Sequence, residues 1–151
     1  MRPDDASDLV ALARGWIGTP YRHQASVRGA GCDCLGLIRG LWRDWHGAEP
    51  ETPPPYGADW SETGAGESLW QALERHMRPV PGRAPWQVGQ VLLFRMRQRR
   101  MAKHLGLLSR LGPDGAIAGA AFIHAYDRHG VIESPLGLPW ARRIVARFEM
   151  I

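Results

Sequence analysis

The spacing of apolar residues changes part-way along the chain, and that change limits the fold more than any other feature. Up to about residue 77 apolar residues recur at helical spacing; from Gln90 onward they fall in short runs of strand length. Over residues 8–17, Leu9, Leu12, Ala13, Trp16 and Ile17 form one stripe. Ser7 or Asp4 can cap its start, and Gly18 followed by Pro20 ends it. A second stripe holds Cys34, Leu37, Ile38, Leu41, Trp42 and Trp45, with Asp33 at the N-cap position and Gly47 as the stop. A third helix is expected over 67–77, with Leu69, Trp70, Leu73 and Met77 facing inward. Strands are expected over 90–94, 103–109, 116–126, 130–134 and 144–148, with a turn at Gly112-Pro113-Asp114-Gly115. Residues 18–33, the proline-rich 47–66 stretch and the Arg-rich 95–100 stretch read as loops. Short strands at close spacing favour antiparallel pairing. Helices first and strands after make the class α+β: N-terminal helices packed on a C-terminal antiparallel β-sheet.

At 151 residues the chain is expected to form one domain with a core that needs no disulfide. Its 18 glycines and 12 prolines imply many turns and argue against a plain helix bundle. No apolar run reaches the ~18 residues of a membrane span, and the acidic start shows no secretory signal, so membrane insertion is not expected. The net charge of +4 suits an anionic polymer or an acidic protein surface. Without a basic helix of DNA-reading character or zinc-finger spacing, nucleic acid is not the expected partner.

The two cysteines, Cys32 and Cys34, stand one residue apart. A bridge between them would close a strained ring. A zinc site would have to draw on Cys32, Cys34, His104 and His124; an inert buried thiol is the bland alternative. A third reading gives one thiol chemistry to do. Cys34 opens a helix, where unpaired backbone N–H groups and the positive end of the dipole favour thiolate. His104 opens an expected strand and His124 lies on the next, so two imidazoles can stand side by side near that helix. One would exchange protons with the thiol while the other orients it.

The stretches Gly18-Thr19-Pro20-Tyr21-Arg22 and Gly31-Cys32-Asp33-Cys34-Leu35-Gly36-Leu37 resemble the opening signature of the NlpC family of cell-wall peptidases. Val88-Gly89-Gln90-Val91-Leu92-Leu93-Phe94, Lys103-His104-Leu105-Gly106-Leu107 and Phe122-Ile123-His124-Ala125 resemble its later strands in the same order. The likeness spans about residues 8–148. The longer stretches at 21–26 and 123–130 look most like the phage and gene-transfer-agent tail peptidases of that family.

The resemblance implies a papain-like core and a cysteine peptidase acting on peptidoglycan stem peptides, usually between γ-D-Glu and meso-diaminopimelate. Cys34 would be the nucleophile, His104 the general base and acid, and His124 the orienting member, with His129 as a fallback. The Cys34 backbone N–H and the Tyr21 hydroxyl would hold the oxyanion. Asp33 matches a substrate-contacting position and can also cap the helix. No metal or cofactor is implied.

Two departures stand out. Leu35 replaces the serine that usually follows the catalytic cysteine and helps hold a free amine, which favours intact or cross-linked stems. Cys32 replaces an apolar residue. A wall-cutting enzyme without an export signal needs a carrier, and a phage-like tail, with its tip, hub or baseplate as docking partner, would serve. A non-catalytic tail protein that keeps the fold, and a thiol amidase or acyltransferase on another substrate, are the competing functions.

Overall fold

The computed structural model describes residues 3–51, 53, 68–96 and 102–150. Most of the expected loop at 47–66 and of the Arg-rich 95–100 turn lies outside them.

Helix α1 spans Pro3–Arg14. It begins five residues before the stripe at residue 8, because proline is tolerated in a first turn. It also ends earlier than expected. Trp16 and Ile17 bond back three residues, to the carbonyls of Ala13 and Arg14, so the last apolar positions lie in tight turns. Gly18, at φ +94°, then redirects the chain.

Within the expected loop at 18–33, Ser26–Val27 (β1) and Gly31–Cys32 (β2) form a small antiparallel hairpin. Two-residue strands leave no alternation to read.

Helix α2, Cys34–His46, has the expected bounds. Asp33 Oδ1 accepts from the Gly36 backbone N–H at 2.7 Å, and Gly47, at φ +91°, closes the C-terminus. Its inner face buries Leu37, Ile38 and Leu41, with Trp42 and Trp45 partly buried beside them. Gly40 lets the Trp16 ring lie directly on the helix; a Cβ there would overlap Cη2 and Cζ2 of the ring. Helix α3 is Ser68–His76.

The main sheet has strand order β3-β8-β4-β5-β6-β7, each neighbouring pair antiparallel. Its strands are Arg78–Val80 (β3), Val91–Phe94 (β4), His104–Arg110 (β5), Ala121–Tyr126 (β6), Gly130–Pro135 (β7) and Ile144–Glu149 (β8). Strand β3 escaped the sequence pattern because it is short, exposed and carries Pro79, which suits the sheet edge it occupies. Strand β6 starts at Ala121 and not at residue 116. The intervening residues complete a turn that begins with a 3-10 helix at Pro113–Gly115 and includes Gly119 at φ +83°. Helix α4, Leu138–Ala141, is a single turn led in by Gly137.

Strand alternation divides the sheet into two apolar faces. Val91, Leu93, Leu105, Leu107, Ile123, Ala125, Val131 and Phe148 join the core beneath α1 and α2. Leu92, Phe94, Leu108 and Phe122 join a second cluster with Leu136, Trp86 and Trp140. Arg147 pins the approach to β4: its guanidinium donates to the carbonyls of Pro81, Gly82, Ala84 and Pro85 and to Gln90 Oε1, and lies 4.0 Å over Trp86. Arg14 pairs with Glu133 and so ties α1 to β7. Helices packed on an antiparallel sheet are the architecture expected from the change of period.

Candidate active site

Cys34 is the first residue of α2 and is half-buried. Its Sγ–H donates to the Lys103 carbonyl at 3.4 Å. The backbone N–H groups of Leu105, Leu35 and Cys34 itself favour its anion. The sulfur therefore lies against the β5 backbone on both sides of His104. Among the described residues its hydrogen bond goes to that carbonyl and not to an imidazole. Desolvation, and then the charge of Asp33, outweigh the N–H groups and push the thiol up to about 12. The helix start was expected to favour thiolate; burial wins instead, and the resting sulfur is protonated.

His104 begins β5, and its ring stands on the sheet face that also carries Phe94 and Phe122. His124, on the neighbouring β6, shares that face. Nε2 of His104 lies 2.8 Å from Nδ1 of His124, with ring planes at 82°. Both residues are buried, at 8% and 1% exposure, so the contact is shielded from competing water. Desolvation first, then the neighbouring imidazole and Lys103, lower His104 to about 3. Desolvation first, then His129, lower His124 to about 4. Both rings are neutral at pH 7. Gly106 makes room for Phe122 and His124, since a Cβ there would meet Phe122 Cδ2 at 2.8 Å and His124 Cβ at 3.4 Å.

Tyr21 is half-buried, and its backbone forms a bridge with Cys32. Burial, followed by the charges of Cys34, Asp33, Asp127 and Cys32, raises its phenol well above the ordinary value. The hydroxyl is thus neutral and able to donate a hydrogen bond. Asp33 is 3% exposed: Oδ1 caps α2 and Oδ2 accepts from the Gln24 N–H at 2.7 Å. Its carboxylate holds the 24–36 segment in place and sets a negative charge beside the sulfur. Cys32 lies in the main core at 0% exposure, and burial keeps its thiol up at about 12. The zinc set of Cys32, Cys34, His104 and His124 does not assemble: among the described residues no three His, Cys, Asp or Glu side chains converge as metal ligands.

His129 lies in the β6–β7 turn, its ring stacked on Tyr126 at 5.4 Å. His23 Nδ1 is 3.8 Å from Asp33 Oδ2, and His46 packs on Trp42.

Two neighbours of the imidazole pair were absent from the sequence reading. Ser134 Oγ, on β7, lies 3.1 Å from His124 Nε2. Strand parity could have found it, because Ser134 pairs with Phe122 and so stands on the His124 face. Trp140, on α4, packs on His104 at 5.4 Å, His124 at 5.1 Å and Tyr126 at 5.4 Å. A single aromatic residue in a four-residue helix carries no such signal.

Set against known structures, the fold has clear counterparts. The NlpC/P60 family protein from Staphylococcus aureus, described as similar to a lipoprotein, superposes with a TM-score of 0.61 at 17% identity, covering 100% of this chain and 43% of that one. The NlpC/p60 domain of the peptidoglycan hydrolase SagA gives 0.59 at 16% identity, covering 96% and 98%. NlpC2 from Trichomonas vaginalis gives 0.63 at 15% identity, covering 97% and 47%. The fold is that of the NlpC/P60 proteins. This NlpC/P60-like chain spans less than half the length of the Staphylococcus and Trichomonas proteins and nearly all of the SagA domain. No protein-family profile and no curated protein sequence matches it. The NlpC/P60 likeness found by comparison therefore rests on shape.

Proposed function

We propose that this chain is a peptidoglycan endopeptidase with Cys34 as nucleophile, His104 as general base and acid, and His124 as the orienting member. The observation that carries the reading is the 2.8 Å contact between His104 Nε2 and His124 Nδ1. It occupies one nitrogen of His104 and leaves Nδ1 for the thiol, whose sulfur rests on the adjoining strand backbone. The fold shared with a peptidoglycan hydrolase domain supports the same substrate class.

Attack forms a bond from Sγ to the scissile carbonyl carbon while the thiol proton passes to His104 Nδ1. Because thiol and imidazole are both neutral at rest, proton transfer accompanies attack instead of preceding it. The carbonyl oxygen, now an anion, takes hydrogen bonds from the Cys34 backbone N–H and the Tyr21 hydroxyl. His104 then gives its proton to the leaving amine as the C–N bond breaks, leaving a thioester. Water, activated by His104, hydrolyses the thioester and restores the thiol. No cofactor takes part in these steps.

The substrate is a murein stem peptide, cut between γ-D-Glu and diaminopimelate or at a cross-link. Leu35, partly buried against the core, offers no hydroxyl for a free terminal amine, which favours intact stems. A phage-like tail carries the enzyme to the wall, docked at its tip, hub or baseplate.

Incubation with purified sacculi tests the catalytic reading. Soluble muropeptides should appear, mass spectrometry should identify the cut bond, and Cys34→Ala should abolish release without altering the far-UV spectrum. A Cys34→Ala protein that digests as well as wild type would refute it. Copurification with tail particles tests the delivery reading.

A further inference from the structure

The hydrogen-bond chain does not stop at His124. Its Nε2 lies 3.1 Å from Ser134 Oγ, across the β6–β7 pairing in which Phe122 faces Ser134 and His124 faces Ile132. Proton bookkeeping gives that contact a direction. For His104 Nδ1 to accept a proton from Cys34, neutral His104 must carry its own proton on Nε2. That proton is then donated to His124 Nδ1, which must be unprotonated. His124 must in turn carry its proton on Nε2, facing Ser134 Oγ.

We propose that Ser134 is a positioning residue: its hydroxyl oxygen accepts the His124 Nε2–H and holds both imidazoles in the tautomers that leave His104 Nδ1 open as the base. The proposal rests on the peptidase reading above.

The physical case has two parts. Without an acceptor at Ser134, the Nε2–H of a 1% exposed histidine loses its partner, which favours moving the proton to Nδ1. His124 would then donate to His104 Nε2, and His104 would carry its proton on Nδ1, where it blocks uptake from the thiol. In addition, a hydrogen bond accepted at Ser134 polarises the His124 ring and makes Nδ1 a better acceptor for the imidazolium that forms on His104. Both effects act on the proton-transfer step and not on substrate binding.

Histidine ring 15N NMR on the full chain, with steady-state kinetics on muropeptides, tests the proposal. Wild type should show His124 protonated on Nε2 and unprotonated on Nδ1. Ser134→Ala should shift that pattern and lower kcat by about tenfold, the rate equivalent of one neutral hydrogen bond, with KM nearly unchanged. Ser134→Thr, which keeps the hydroxyl on a strand that tolerates β-branching, should restore both. A wild-type His124 protonated on Nδ1 would overturn the proposal even if Ser134→Ala failed to fold. So would a Ser134→Ala protein with unchanged tautomer and kcat, or a folded Ser134→Thr protein as impaired as Ser134→Ala. Failure of the peptidase reading is separately visible: wild type would release nothing from muropeptides whatever the tautomer.

Discussion

His104 and His124 share one hydrogen bond, 2.8 Å from Nε2 to Nδ1, on the sheet face opposite the packed side of α2, while Cys34 reaches the same strand end from the helix. The thiol donates to the Lys103 carbonyl, immediately before the histidine that opens β5. That relationship sets what each group should do when perturbed.

Removing His124 leaves His104 Nε2 without its partner in a buried site. His124→Ala should lower kcat by roughly 10²-fold or more, within the range of general acid–base contributions. His129→Ala should leave turnover near wild type, because that ring stacks on Tyr126. Muropeptide release assays on the two variants read this directly; equal losses would contradict the assignment.

Cys34 should behave as a protonated thiol at neutral pH. Its value near 12 means that iodoacetamide labelling should climb steadily with pH above 7, without the plateau near pH 5 that a preformed ion pair would give. Asp33 raises the thiol, so Asp33→Asn should move the labelling curve to lower pH. His104→Ala should slow labelling near pH 7 by about tenfold if the imidazole relieves the thiol of its proton. Identical rates in wild type and His104→Ala would uncouple the two groups.

The imidazole pair should also shape stability. In the unfolded chain both rings titrate near 6.5, whereas in the fold they sit near 3 and 4. Between those limits the unfolded state binds more protons, so stability should fall as pH drops from about 6.5 toward 4 and be insensitive to these groups above 7. His124→Gln should flatten that fall in urea titrations. An unchanged pH slope in the variant would show that His124 is not buried as a neutral ring.

Trp140 shields both rings. Trp140→Ala should let water reach them and raise their pKa values toward the ordinary histidine range. It should also destabilise the fold by about 2 to 3 kcal/mol, below the full cost of a wholly buried tryptophan because this one is partly exposed. NMR titration of the ring protons reads the first effect and urea unfolding the second.

At Gly40 a methyl group would overlap the Trp16 ring, which is 2% exposed and held by a 3.1 Å bond from Nε1 to Asp44. Gly40→Ala should destabilise by about 1 to 3 kcal/mol through overpacking. Its effect on kcat should be small at temperatures where the variant is folded; comparing Tm with activity separates the two.

Helix α2 shows how far local pattern reaches. Its apolar stripe, the capping Asp33 and the left-handed Gly47 all act within a few residues, and its bounds could be read from them directly. The β4, β5 and β7 segments were readable for the same reason, as was the antiparallel class. The hairpin of β1 and β2, the edge strand β3 and the single-turn α4 were not. Each is too short for a period and is held by partners far along the chain, as β3 is by β8.

For the site, order and residue type pointed to Cys34, His104 and His124, because a thiol at a helix start and histidines on successive strands form a recognisable set. What they do electrically was decided by packing. Desolvation depends on which atoms crowd a group in three dimensions; it turned an expected thiolate into a neutral thiol and holds both rings neutral. Ser134 and Trp140 entered for the same reason: a strand register and a one-turn helix brought them to His124, and register is a property of paired chains, not of either strand alone.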